Sequence, residues 1–212
     1  MDRETGFRII FFAAFAVLLA IRAYFRWRLR RAGEAGWRVG HDAAHREGRG
    51  GIIWRLLVFI YMLAALIIYA VDPVWLSRFA VALPPWSRWL GTGAAVLSLA
   101  FLIWVHYALG KQWSANLELR EEHILITGGP YRFIRHPMYS ALMGLTGGLA
   151  LVSANWTIIV LAVLASLLLY ARTGKEEAMM LENFGDSYRA YMKSTGRLLP
   201  RLGRNSAHLG CG

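Results

Sequence analysis

The chain has 212 residues, 57% of them hydrophobic and only 17% charged, where a soluble globular chain is roughly half apolar and about a quarter charged. The apolar excess comes in blocks, which marks membrane spans rather than an oversized core. The net charge of +11 is then better explained by arginine-rich loops beside a membrane than by a nucleic-acid partner, and a lone Cys211 excludes an internal disulfide or a cysteine-based metal cluster.

Taken in order, Phe7 to Phe25 is the first expected span, with Arg8 and Arg22 near its ends and able to snorkel to the interface. No cleavable signal peptide is expected, because this block is long and lacks a small-residue cleavage site. A basic connection follows, residues 26–50, carrying Arg26, Arg28, Arg30, Arg31, Arg38, Arg46 and Arg49. Ile52 to Val71 is the second span, ended by Asp72-Pro73, and Val74 to Leu83 reads as a short interfacial piece. Pro84-Pro85-Trp86 opens a third span reaching Leu109, with Trp86 and Trp89 as interface anchors.

Lys111 to Arg135 is polar. Its Leu117, Leu119, Ile124 and Ile126 point to extended structure, and Thr127-Gly128-Gly129-Pro130 is a turn signal. Pro137 to Val152 and Trp156 to Ala171 are apolar segments joined only by Ser153-Ala154-Asn155, an αα-hairpin. Gly144 and Gly148, four apart, are expected to let the two hairpin helices approach closely. From Gly174 the tail is amphipathic, with an interruption at Gly185-Asp186.

The expected fold is therefore all-α: a polytopic membrane protein of about five transmembrane helices with a C-terminal amphipathic cytosolic helix. It divides into membrane helices with a basic loop (residues 1–110) and a loop, hairpin and tail (residues 111–212). If the basic loop is cytoplasmic, alternation of the spans places the Lys111–Arg135 loop and the tail on the same face. The expected location is an integral membrane protein, in a bacterium the inner membrane, with its site facing the cytoplasm.

The densest chemistry lies in Gly128-Gly129-Pro130-Tyr131-Arg132-Phe133-Ile134-Arg135-His136-Pro137-Met138-Tyr139. Pro137 is pre-set for the first turn of a helix, so this cluster sits at the positive end of a helix dipole, suited to an anion. Two readings of Arg135-His136-Pro137 stay open: an anchor, a cap and a first-turn proline, or part of a site. Arg172 and Glu176 share a helix face, either as a surface pair or as its counterpart. His106 reads as a core or interface histidine, and His41 and His45 lack a third ligand, so no metal is expected. No phosphate loop, dinucleotide fingerprint or nucleophile elbow is present.

These motifs together resemble the isoprenylcysteine carboxyl methyltransferase family over residues 110–201. The matching pieces are Leu109-Gly110 with Trp113-Ser114, His123 to Tyr131, and Arg135 to Tyr139. After the hairpin come Glu176-Glu177, Phe184-Gly185, Tyr188, Tyr191, Arg197 and Pro200. The resemblance implies S-adenosylmethionine as cofactor, contacted by His123, Ile124, Leu125, Ile126, Tyr131, His136, Pro137, Met138, Tyr139, Glu176 and Glu177. It implies Arg172 facing the methyl acceptor, an apolar or lipid-like molecule methylated on a carboxylate, and Arg172 and Arg135 are the expected catalytic residues. Asn116 stands where family members carry glutamine. Three alternatives remain at this point. An amine-lipid methyltransferase has the same cofactor. A membrane reductase of the sterol-reductase type is similar in its His-Pro-x-Tyr segment, but here Met138, Ser140 and Ala141 depart from its pattern. A non-enzymatic scaffold or transporter has no use for the cluster, and few ionisable residues lie deep in the spans.

Overall fold

The computed structural model describes residues 3–31, 74–110 and 125–201, with residues 66–71 and helical positions 56, 59, 60, 63 and 64 between them. The loop 32–50, most of the expected second span, Asn116, His123, Ile124 and the tail beyond Arg201 with Cys211 lie outside the described residues.

Among the described residues four helices have both ends defined: α1, Arg3–Arg31, of 29 residues; α2, Pro85–Leu109, of 25; α3, Pro137–Ser153, of 17; and α4, Trp156–Ser194, of 39. Residues 66–71 are helical as well and pack Tyr69 into the core. Among the described residues α1, α2 and α4 are long and apolar enough to cross a membrane, and α3 is shorter. The protein is an all-α, polytopic integral membrane protein, and no strand is formed among the described residues. Helix α1 runs past its expected end at Phe25, carrying Arg26, Arg28, Arg30 and Arg31 as helical residues. Those side chains favour the negative C-terminal end of the helix dipole, so nothing there stops the helix.

Each boundary has a local cause. Pro85 and Pro137 occupy first-turn positions, where a missing N–H costs nothing. Asn155 starts α4 by accepting hydrogen bonds from the Thr157 N–H at 3.0 Å and the Thr157 hydroxyl at 2.6 Å. Gly185 breaks the helical path at φ 52°, a conformation open to glycine, so the expected interruption is present.

Helices α2 and α3 are the most closely packed pair. A Cβ on Gly148 would stand 2.7 Å from the Gly91 carbonyl oxygen, and one on Gly144 would stand 2.5 Å from Ser98 Oγ. The small residues of α3 therefore seat it against α2, and not against its hairpin partner as the spacing predicted. In lipid, where helix association rests on close van der Waals contact, that is the contact small residues permit.

The far end of the bundle is tied by Arg88, whose Nε donates to the Val152 carbonyl at 3.0 Å and whose Nη1 meets Glu4 at 2.5 Å. Its guanidinium also lies 4.0 Å over the Phe7 ring. Arg8, expected to snorkel, instead donates to the Tyr69 carbonyl at 2.7 Å and covers that ring. At the opposite end Phe25 of α1 stacks on His106 of α2, with centroids 4.7 Å apart. His106 is 1% exposed, a core histidine as read. The ends of α1 and α2 that carry these residues meet the start of α3, since the 3-10 turn Gly129–Arg132 brings Gly129 against Ala108.

Candidate functional site

Two consecutive glutamates on a helix point about 100° apart, and this separation organises the site. Pro137 starts α3 directly after His136, which holds the imidazole at the helix mouth beside α4. The His136 ring lies between the two carboxylates, Nδ1 3.4 Å from Glu176 Oε2 and Nε2 3.4 Å from Glu177 Oε1. Its plane is stacked on the Tyr139 ring at an interplanar angle of 4°. Glu176 further accepts hydrogen bonds from the Tyr139 hydroxyl and from Arg172 Nε at 3.2 Å. It keeps 21% of its side-chain surface exposed, against 4% for Glu177.

Glu177 has a different set of partners. Arg135 Nε donates to it at 2.9 Å and Arg197 Nη2 donates to its second oxygen. Arg135 is itself enclosed, giving Nη1 to the carbonyls of Met192 at 3.0 Å and Thr195 at 2.5 Å. The bond to Glu177 holds the Arg197 guanidinium above its ordinary pKa, against the opposing effect of burial.

The chain after α4 doubles back to complete this arrangement. Ile134 and Gly196 form an isolated parallel bridge, the Arg135 N–H donates to the Gly196 carbonyl at 2.8 Å, and the His136 N–H donates to the Arg197 carbonyl at 3.0 Å. Ser140 Oγ donates to the Leu198 carbonyl at 2.5 Å. A Cβ on Gly196 would fall 1.7 Å from the Leu199 carbonyl oxygen, so only glycine fits this return. Tyr191 closes the cluster by donating to the Tyr131 carbonyl at 2.6 Å. Burial, with Tyr191, Glu176 and Tyr139 nearby, pushes the Tyr131 phenol well above its ordinary pKa, so it stays protonated at neutral pH.

The structure thus gathers Tyr131, Arg135, His136, Tyr139, Arg172, Glu176 and Glu177 in one place. Pro137 is buried as the first helical residue, and Met138 packs against the core. Leu125 and Ile126 are half-buried at the loop's end. Arg135, expected as a catalytic residue, and Glu177, expected with the cofactor, are enclosed in an ionic junction with Arg197 that ties the loop to the tail. Arg197 and Pro200 stand among the pieces that resemble the family, but the pairing of Ile134 with Gly196 was not foreseen, since it spans 62 residues and leaves no periodic signal.

The residues present suit a cationic sulfonium cofactor. Glu176 has a carboxylate with acceptor capacity beyond its three partners, the Tyr139–His136 stack offers an aromatic face to a cation, and His136 Nε2 is buried without a well-formed hydrogen bond. Among the described residues no group of three His, Cys, Asp or Glu side chains is placed to hold a metal ion.

Fold and site define a polytopic helical membrane protein with a carboxylate-centred polar site at the mouth of a hairpin. Residues 89–182 match the model of the isoprenylcysteine carboxyl methyltransferase (ICMT) family, the same stretch that carries most of the motifs described above. The chain is 31% identical over 120 residues to the cobalt-zinc-cadmium resistance protein CzcN of Cupriavidus metallidurans, covering 55% of each chain. It is 31% identical over 140 residues to methanethiol S-methyltransferase of Pseudomonas deceptionensis, covering 61% of this chain and 49% of that one. These alignments span about half the length of the curated relatives. The solved structure of the eukaryotic intramembrane Ras methyltransferase ICMT matches with a TM-score of 0.65 at 16% identity, covering 90% of this chain and 66% of that one. At that identity the likeness concerns the fold.

Proposed function

We propose that the chain is an integral-membrane methyltransferase that uses S-adenosylmethionine and methylates a carboxylate on an apolar or lipid-like acceptor. The observation that carries this is the convergence of His136, Tyr139 and Arg172 on the Glu176 carboxylate, in a region of ICMT-family sequence. S-adenosylmethionine, when bound, supplies a sulfonium methyl group to the acceptor.

Glu176, His136 and Tyr139 hold the cationic donor, and Tyr131 borders it. Arg172 grips the acceptor carboxylate through a charge-assisted bond. That carboxylate is already ionised, so no general base is required, and positioning provides most of the catalysis. A low-polarity surround favours a reaction in which opposite charges neutralise each other. An apolar groove of about 350 Å³ between α3 and α4, lined by Met143, Gly147, Ile159, Val163, Leu167 and Tyr170, offers room for the acceptor's hydrocarbon, at the small end for a ligand pocket. It ends at Tyr170, two residues before Arg172. The basic last turn of α1, with Arg28, Arg30 and Arg31, stands at the same end as His136, which favours a cytoplasmic site in a bacterial inner membrane.

A thiolate acceptor is the second reading, favoured by the likeness to a methanethiol S-methyltransferase. The test is to incubate purified protein and membrane extract with isotope-labelled S-adenosylmethionine and identify the product. A methyl ester supports the first reading, a thioether the second, and absence of labelled product opposes both. With the acceptor in hand, Arg172→Ala should lower kcat/KM at least tenfold while changing S-adenosylmethionine affinity less than threefold, if one charged hydrogen bond is worth about 1.5–3 kcal/mol.

A further inference from the structure

Val17, Ala20, Tyr24, Trp27, Arg28 and Arg31 lie on one face of α1, since residues three and four apart on a helix are neighbours. All six are exposed, on a helix long and apolar enough to cross a membrane. The face changes character along its length: apolar at Val17 and Ala20, aromatic at Tyr24 and Trp27, cationic at Arg28 and Arg31. Aromatic rings hold both cations. The Arg31 guanidinium lies 4.1 Å from the Trp27 ring centroid, and that of Arg28 lies 5.5 Å from the Tyr107 ring of α2. Tyr107 is set edge-to-face against the buried Phe25 with centroids 5.1 Å apart, and Trp27 leans on Tyr24 at 6.1 Å.

A ring beneath a guanidinium covers its flat side and leaves the N–H donors, which lie in the plane, open at the edge. Such a group is fitted to take two oxygens of a phosphate. Tyrosine and tryptophan settle at the level of lipid headgroups, with hydrocarbon beneath them. The order along the α1 face is therefore the order of parts in a phospholipid: acyl chain, ester region, phosphate. Arg26 and Arg30 are exposed as well, but each stands about 200° around the helix from Arg28.

We propose that this face binds an anionic phospholipid, its phosphate held by Arg28 and Arg31 and one acyl chain lying along Val17 and Ala20. A zwitterionic lipid offers the same chain and phosphate but brings a second cation toward the arginines, which discriminates against it. The site does not depend on the methyltransferase reading.

The full chain in neutral detergent is titrated with phosphatidylglycerol or with phosphatidylcholine of the same acyl chains, and bound lipid is read by native mass spectrometry. Phosphatidylglycerol should bind about tenfold more tightly or better. Arg28→Gln with Arg31→Gln should lower its affinity about tenfold or more, from about fivefold for each juxtamembrane arginine. The same pair should leave phosphatidylcholine within about twofold. Arg26→Gln with Arg30→Gln removes equal charge from the opposite side of α1 and should change phosphatidylglycerol affinity less than about threefold. All four side chains are exposed, so neither variant should disturb folding. Equal loss in the two double variants would show a diffuse basic surface and overturn the proposal. So would equal binding of the two lipids, or unchanged phosphatidylglycerol affinity in Arg28→Gln with Arg31→Gln.

Discussion

Removing the Glu177 carboxylate would leave Arg135, 7% exposed, and Arg197 beside each other with no anion between them. Breaking a buried ion pair from one side costs about 3–5 kcal/mol, because the remaining charge stays desolvated. Glu177→Ala is therefore expected to lower the unfolding free energy by about that amount, read as a large fall in thermal midpoint in detergent. Glu176→Ala removes a more exposed carboxylate and should cost no more than about 1–2 kcal/mol. Equal destabilisation by the two would contradict the division of roles. The sequence shows both glutamates side by side and cannot distinguish them, because each one's role depends on what faces it. Arg197 reaches Glu177 from 20 positions on, at the end of a segment whose path is set by Gly196.

At the scale of elements, the sequence marked helix starts well and helix faces poorly. Pro85, Pro137, Asn155 and Gly185 act on their immediate neighbours, so their effects are readable from the chain alone. Gly144 and Gly148 announce a close approach without naming the partner, since a helix apolar on most sides carries no strong directional signal. The partner is α2, where Gly91 meets Gly148 backbone to backbone. Gly148→Val should therefore push α2 and α3 apart and cost about 1–3 kcal/mol by overpacking, measured as lost thermal stability. The same change at Gly147, whose Cβ would meet nothing within 4 Å, should cost less than about 1 kcal/mol. Matching losses at both positions would contradict the packing described.

For the whole molecule, the ionic clusters sit at opposite ends, Arg88 with Glu4 at one and the His136–Glu176 site at the other. The sequence supplied this polarity through the arginines after Phe25. In a Cys211→Ser background, Lys193→Cys should resist a membrane-impermeant maleimide in intact cells and react after lysis, whereas Trp86→Cys should react in intact cells. The reverse pattern would place the site on the outer face and contradict the proposed topology. The central claim, a cationic methyl donor held by Glu176 beside His136 and Tyr139, is tested most directly by calorimetric titration of S-adenosylmethionine into the protein in nanodiscs. Saturable binding weakened at least tenfold in a folded Glu176→Ala variant is the predicted result; binding unchanged by that substitution, or absent from the unaltered protein, would contradict it.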